Sequence, residues 1–180
     1  MSSFPAVKIS AERLVLREFS PDDAGLVAGA LADGAPEALP PGAPARPDGI
    51  AEWLAGGVHL MRHSGAGVHL MMLDRASGSI TGGISLFHTD WEVRSAEIGY
   101  GVRSDRRGKG FATEALVALT RWALTDGGMQ RVWLTANTDN IASVRVAEKA
   151  GFLREGTLRR AGLEEDGLHD QALFSRLDND

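Results

Sequence analysis

The 180-residue chain contains no cysteine. That absence removes disulfides, thiolate metal ligands and a covalent cysteine nucleophile together, and it is compatible with a reducing compartment. Tyrosine is nearly missing as well, since Tyr100 is the single one. An excess of positive charge is also lacking: the net charge is -5, so broad electrostatic binding to nucleic acid is not expected. No run approaches the ~18 apolar residues that span a bilayer, and residues 1–10 lack the apolar core of a signal peptide. A cytoplasmic location without membrane contact is therefore the expectation. No internal repeat or second domain is visible. A chain of this length with 43% hydrophobic and 24% charged residues suits one globular domain over 1–180 with a real core.

Against this acidic background one stretch is basic and glycine-rich. Residues 106–113 read Arg-Arg-Gly-Lys-Gly-Phe-Ala-Thr. A β-like run over 95–102 precedes it and a helix-like run over 111–124 follows. Glycines 108 and 110 let the backbone bend tightly and let a ligand approach the bare chain. The first N–H groups of a helix have no partner within it, and the helix dipole favours an anion there. Arg106, Arg107 and Lys109 add charge at the same place, so the stretch reads as a phosphate or pyrophosphate site. Two familiar loops fail on spacing. A P-loop needs glycine at 103, which is Arg103, and Ser or Thr at 110, which is Gly110. A dinucleotide fingerprint needs a third glycine where Thr113 stands.

Elsewhere, alternation predicts a strand over 13–19, and Pro21 suits the first turn of a helix over 24–31. Five prolines between 36 and 47 predict an irregular loop over 33–48. A helix is expected over 50–63, with Gly56 and Gly57 as weak points. Strands are expected over 68–73 and 80–87, joined by a hairpin, and over 94–102 and 131–136. Asn140 suits the N-cap of a helix over 141–150 that Gly151 stops. Two last strands fall at 152–160 and 169–177. The βαβ unit over 94–136 makes its two strands parallel, with a right-handed crossover. The expected class is α/β (α+β), a mixed, mostly antiparallel sheet of about six to seven strands with about four helices.

Arg107, Gly110 and Ala112 fit the pattern Q/R-x-x-G-x-G/A and resemble the acetyl-CoA loop of the GNAT acyltransferases. Ala96-Glu97-Ile98-Gly99-Tyr100 upstream resembles that family's fourth strand. Asn140 and Ser143, followed by Glu148-Lys149-Ala150-Gly151-Phe152, resemble the second motif of its RimJ/RimL branch, the ribosomal-protein N-terminal acetyltransferases and their relatives. Leu14-Val15-Leu16-Arg17 with Pro21-Asp22-Asp23 resembles its opening. The resemblance covers roughly residues 12–176.

The resemblance implies a single GNAT-like domain whose central parallel strands splay apart to admit acetyl-CoA. It implies direct transfer of the acetyl group to a primary amine through a tetrahedral intermediate, without a metal. The acceptor is a protein N-terminus or a small-molecule amine, and the chain is a monomer or homodimer. Cofactor contacts are implied at Val102, Arg103, Arg107, Gly108, Lys109, Gly110, Phe111, Ala112, Thr113, Asn140 and Ser143. Glu97 is implied as a base acting through water, and Ser143 on the thiol side. Glu97 could instead pair with Arg94 or Arg131, and Ser143 could serve helix capping. Trp91, on a loop with His88, Asp90 and Glu92, could meet the acceptor or could pack. Gly101 stands where relatives often carry Trp, which would leave space beside the acetyl group. Many relatives carry a tyrosine acid on the second helix, and here Tyr100 is on a strand instead, so the proton donor stays open. His59 and His63 lie four apart, but no third ligand accompanies them. A non-catalytic module that binds acetyl-CoA, and a nucleotide site built on the arginines, remain as alternatives.

Overall fold

The computed structural model describes residues 3–164 and 166–180. Among these, eight strands are present: β1 (Lys8–Ser10), β2 (Leu14–Glu18), β3 (Val68–Asp74), β4 (Ile80–Asp90), β5 (Ser95–Val102), β6 (Arg131–Asn137), β7 (Leu153–Glu164) and β8 (Gly167–Leu177). They form one sheet in the order β1-β2-β3-β4-β5-β6-β8-β7. Every neighbouring pair is antiparallel except β5 and β6. The α-helices are α1 (Ala24–Ala32), α2 (Ile50–Ala55), α3 (Leu60–Ser64), α4 (Phe111–Leu124) and α5 (Ile141–Lys149).

Two apolar clusters sandwich the sheet. Successive strand residues point to opposite faces, and β3 supplies both: Leu70 and Met72 face one cluster, Met71 and Leu73 the other. The first cluster takes Ala96, Ile98 and Val102 from β5 and packs them on Phe111, Ala115, Leu116 and Leu119 of α4. That stripe repeats at helical spacing, which is why α4 lies along the sheet. Truncating the fully buried Leu119 would cost about 2–5 kcal/mol. The second cluster joins α1 and α2 to β2, β3 and the start of β4. It takes nothing from β5, β6 or β8, and on β5 this face meets the 3-10 turn Pro36–Ala38 at Gly101.

Three details differ from the sequence reading. A short strand, β1, precedes the expected first strand and brings the sheet to eight. The helix expected over 50–63 is broken into α2, one 3-10 turn (Gly57–His59) and α3. A Cβ at Gly57 would sit 3.1 Å from the Trp53 ring, so the break lets the chain pass close to that indole. The last hairpin is longer than expected, because β7 runs on to Glu164 and β8 starts at Gly167.

Candidate active site

β5 and β6 pair at three positions and then separate. The registered pairs are Ser95 with Arg131, Ala96 with Val132 and Glu97 with Trp133. Beyond them β5 stays on β4 as far as Val102, while β6 stays on β8 as far as Asn137. The result is a V-shaped gap in the sheet with Glu97 at its apex. Arg103 donates its N–H to the Thr81 carbonyl on the β4 side. Alternation then turns the backbone of Tyr100 and Val102 toward the gap. The Val102 carbonyl indeed accepts from Arg107 Nε there, at 3.0 Å.

The gap opens into a cleft of about 630 Å³, lined among others by Tyr100, Val102, Arg107, Gly110, Asn140 and Ser143. The basic turn forms one wall. Gly108 and Gly110 hold φ of +74° and +82°, a region that side chains with a Cβ rarely adopt. Gly110 occupies the N-cap position of α4, and the first intrahelical acceptance is from Glu114 N–H to the Gly110 carbonyl. Among the described residues no acceptor meets the backbone N–H of Gly108, Lys109, Gly110, Phe111, Ala112 or Thr113. Six consecutive unpaired donors at a helix start are a strong anion site.

This turn is tied to the far end of the chain. Arg13, just before β2, donates to the Lys109 carbonyl at 2.8 Å and to Glu114 Oε2 at 2.8 Å. Its guanidinium lies 4.8 Å from the centroid of the Phe111 ring. Glu114 Oε1 in turn accepts the N–H groups of Arg13 and Leu14. Sequence spacing gave no sign of this clasp.

The opposite wall is α5. Asn140 Oδ1 accepts the Ser143 N–H at 3.0 Å and caps the helix, and it also lines the cleft. The Ser143 hydroxyl lies 3.0 Å from the Tyr100 phenol. This contact bridges the two walls. Burial pushes the Tyr100 pKa up, and the bond to Ser143 opposes the rise.

Glu97 faces the other side of the sheet, away from α4. His88 Nδ1 lies 2.8 Å from Glu97 Oε2. Burial pushes the Glu97 carboxyl above its ordinary pKa, and His88 opposes it. Neither arginine weighed as its partner is used: Arg131 is engaged by Glu155 at 2.6 Å.

A family model described as "Acetyltransferase (GNAT) domain" matches residues 13–153. The chain belongs to the GNAT family. Among curated proteins it is similar to the "Putative ribosomal N-acetyltransferase YdaF" of Bacillus subtilis (strain 168), 38% identical over 100 residues, 56% of this chain and 54% of that protein. It is also similar to the "Ribosomal-protein-serine acetyltransferase" of Escherichia coli (strain K12), 33% identical over 84 residues, 47% of each chain. The match thus spans about half the length of these curated relatives. Among solved structures, "Mycobacterium smegmatis RimJ in complex with CoA-disulfide" shares the fold with a TM-score of 0.82 at 23% identity, covering 98% of this chain and 90% of that one.

Within this GNAT domain the expected site residues separate into groups. Val102, Arg107, Gly108, Gly110, Phe111, Ala112, Thr113, Asn140 and Ser143 line one cleft. Arg103 and Lys109 do not line it. Arg103 is held by Asp33 and Asp105, each at 3.0 Å, and Lys109 Nζ donates to the Asp105 carbonyl. Trp91 is placed elsewhere: its Nε1–H donates to the Gly65 carbonyl at 2.7 Å, and its ring packs on Phe4. These contacts give the packing role that the sequence also allowed for Trp91. Gly101 leaves no free space beside the gap, since a Cβ there would lie 2.0 Å from the Glu37 carbonyl oxygen. The glycine lets the 3-10 turn Pro36–Ala38 cross the sheet. That turn brings Glu37 to the cleft, where its carboxylate accepts the Ser104 N–H at 3.0 Å. The proline-rich composition of 33–48 marked the segment but not this residue.

Proposed function

We propose that this chain transfers an acetyl group from acetyl-CoA to a primary amine. The observation that carries the reading is the row of six unpaired N–H groups over Gly108–Thr113 beside a sheet that opens at Glu97 and Trp133. The residues fit the ligand. The amide row suits a pyrophosphate, Arg107 adds charge, and the cleft volume is in the range of small-molecule sites. The exposed edge of β5 turns the Tyr100 backbone N–H and C=O toward the gap, where they suit an amide-bearing arm. When bound, acetyl-CoA supplies the activated acyl group as a thioester.

The residues around the gap divide the proton work between the two faces of the sheet. The acceptor amine reaches the gap from the face opposite α4. There Glu97, at the apex, takes the N–H proton through water as the nitrogen bonds to the acyl carbon. The Val102 N–H points into the gap and stabilises the oxygen that gains charge; losing such a donor costs on the order of 10²–10³ in rate. On the other face, Tyr100 and Ser143 supply a proton to the thiolate as the C–S bond breaks. The phenol thus takes the part that a helix tyrosine would hold, and its bond to Ser143 keeps it aimed.

For the acceptor we favour a protein α-amine, because two curated relatives carry names that point to ribosomal proteins. An α-amine, with a pKa of about 7.7–8.0, needs little deprotonation, whereas a lysine near 10.4 needs a strong base. The test is CoA release with Ser- and Ala-initiated peptides set against polyamines, amino acids and amino sugars. Release with the peptides supports the reading. Release with small amines alone moves the acceptor class, and stabilisation by acetyl-CoA without turnover of any amine reduces the chain to a binding module.

A further inference from the structure

β4 meets β5 regularly up to the pair Phe87 with Glu97 and resumes at Asp90 with Ser95. Two residues of β4, His88 and Thr89, therefore oppose the single Ala96. This is a β-bulge, a device that re-aims side chains near functional sites. In a regular ladder residue 88 would share the face of Ala96, which is buried in the cluster under α4. Instead His88 adopts φ +48°, an unusual conformation for a residue other than glycine. The turn brings its ring back to the face of Glu97, edge-on to Phe87 with 5.0 Å between centroids. The His88 side chain is 73% exposed, whereas that of Glu97 is 13% exposed. A backbone strain of this kind persists where the surrounding structure enforces it and marks a place to look for function.

We propose that His88 is a positioning residue for Glu97: the bulge presents its Nδ1–H to the half-buried carboxylate, aims that carboxylate at the gap, and leaves Nε2 to solvent. The inference rests on the reading of Glu97 as the base. The neighbouring charged groups do not take this place. His69 on β3 is held at 2.7 Å by Ser85, and burial lowers its pKa. Arg131 on β6 is bound to Glu155. Arg62 on α3 is bound to Glu18, and His63 beside it is exposed. On the turn after the bulge Asp90 accepts the N–H groups of Glu92 and Val93, while Glu92 and Arg94 are exposed. His88 is the one side chain that meets the Glu97 carboxylate among the described residues. A base poised by an exposed imidazole would make acceptor turnover respond to pH on its acid side.

Two variants separate the ring from the backbone. His88→Gly keeps the bulge, because glycine accepts positive φ without strain, and it removes the donor. His88→Asn also tolerates this φ and places an amide donor near the position of Nδ1. The Glu97 carboxyl is followed by ¹³C NMR titration, assigned by its loss in Glu97→Gln. Its midpoint should move up in His88→Gly and return toward the wild-type value in His88→Asn. With an Ala-initiated peptide, the acid limb of kcat/KM against pH should move up in parallel. The loss for His88→Gly should be about tenfold on that limb, the low end for a hydrogen bond to a charged group because the imidazole is screened by solvent, and should vanish at high pH. An unchanged Glu97 midpoint in His88→Gly overturns the proposal. So does a midpoint that moves while the acid limb stays in place. A wild type that acetyl-CoA fails to stabilise would count against the acyl-transfer reading alone, since the NMR arm decides the pairing by itself.

Discussion

Gly110 and Gly128 form a matched pair for testing the anion site. Both hold positive φ, +82° and +72°. A Cβ meets nothing within 4 Å at Gly128 and meets the Arg13 Nη2 at 3.3 Å at Gly110. They lie at opposite ends of α4, a 14-residue helix that spans roughly 21 Å. Substitution by Ala forces the left-handed region at a cost of about 1–2 kcal/mol, partly offset by about 0.4–1 kcal/mol from the stiffer unfolded chain. Each variant should therefore lose roughly 1 kcal/mol, or about 2–4 °C in Tm for a domain of this size. Their response to acetyl-CoA should differ. At 100 times Kd a ligand adds about 2.7 kcal/mol, which is a rise of roughly 5–11 °C in the wild type. Gly128→Ala should keep that rise. Gly110→Ala should lose it, because relaxing the strain rotates the peptide that carries the Phe111 N–H and displaces Arg13 from the Lys109 carbonyl. Losing two bonds to a charged phosphate, each about 1.5–3 kcal/mol, removes more than the ligand adds. Differential scanning fluorimetry with acetyl-CoA reads both arms. Equal rises in the two variants would refute the assignment of the amide row.

Glu97→Gln should lower kcat by about 10²–10⁴. Burial raises the Glu97 pKa, so the fold favours its neutral form, and stability is lost as pH rises through the folded value; the variant should therefore gain Tm relative to wild type between pH 4 and pH 8. Tyr100→Phe should lower kcat by about 10²–10³ while the rise in Tm with acetyl-CoA is kept, and an unchanged kcat would remove the phenol from the reaction. Gly101→Ala should destabilise by about 1–3 kcal/mol by overpacking, seen as a lower Tm, because the Glu37 carbonyl stands in the way.

The part of the site that is local in sequence was legible. Gly108 and Gly110 mark the turn, the stripe from Phe111 onward marks α4, and Asn140 and Gly151 bracket α5. Membership of the GNAT family could be read from the same motifs. What stayed hidden depends on contacts between distant segments. Arg13 reaches Lys109 and Glu114 across roughly a hundred residues. Glu37 reaches the cleft because Gly101 lets its turn lie on the sheet. Tyr100 meets Ser143 because α5 folds back over the gap. The His88 contact has a different cause. The expected strand stopped at residue 87 and left His88 on a loop, and no glycine announces the bulge by which β4 runs on to Asp90. The packing of Trp91 on Phe4 likewise joins distant segments, so the sequence left packing and acceptor contact both open for it.

The Arg13 clasp has a consequence for how the molecule is assembled and dismantled. The ligand-gripping bend is made late in the chain, yet its shape is underwritten by a residue made early. A protein without the Arg13 side chain would keep every glycine and every cation of the bend and still present them in the wrong attitude. Arg13, at the entry to β2, thus acts as a keystone: one side chain far away in sequence sets the tension of the grip.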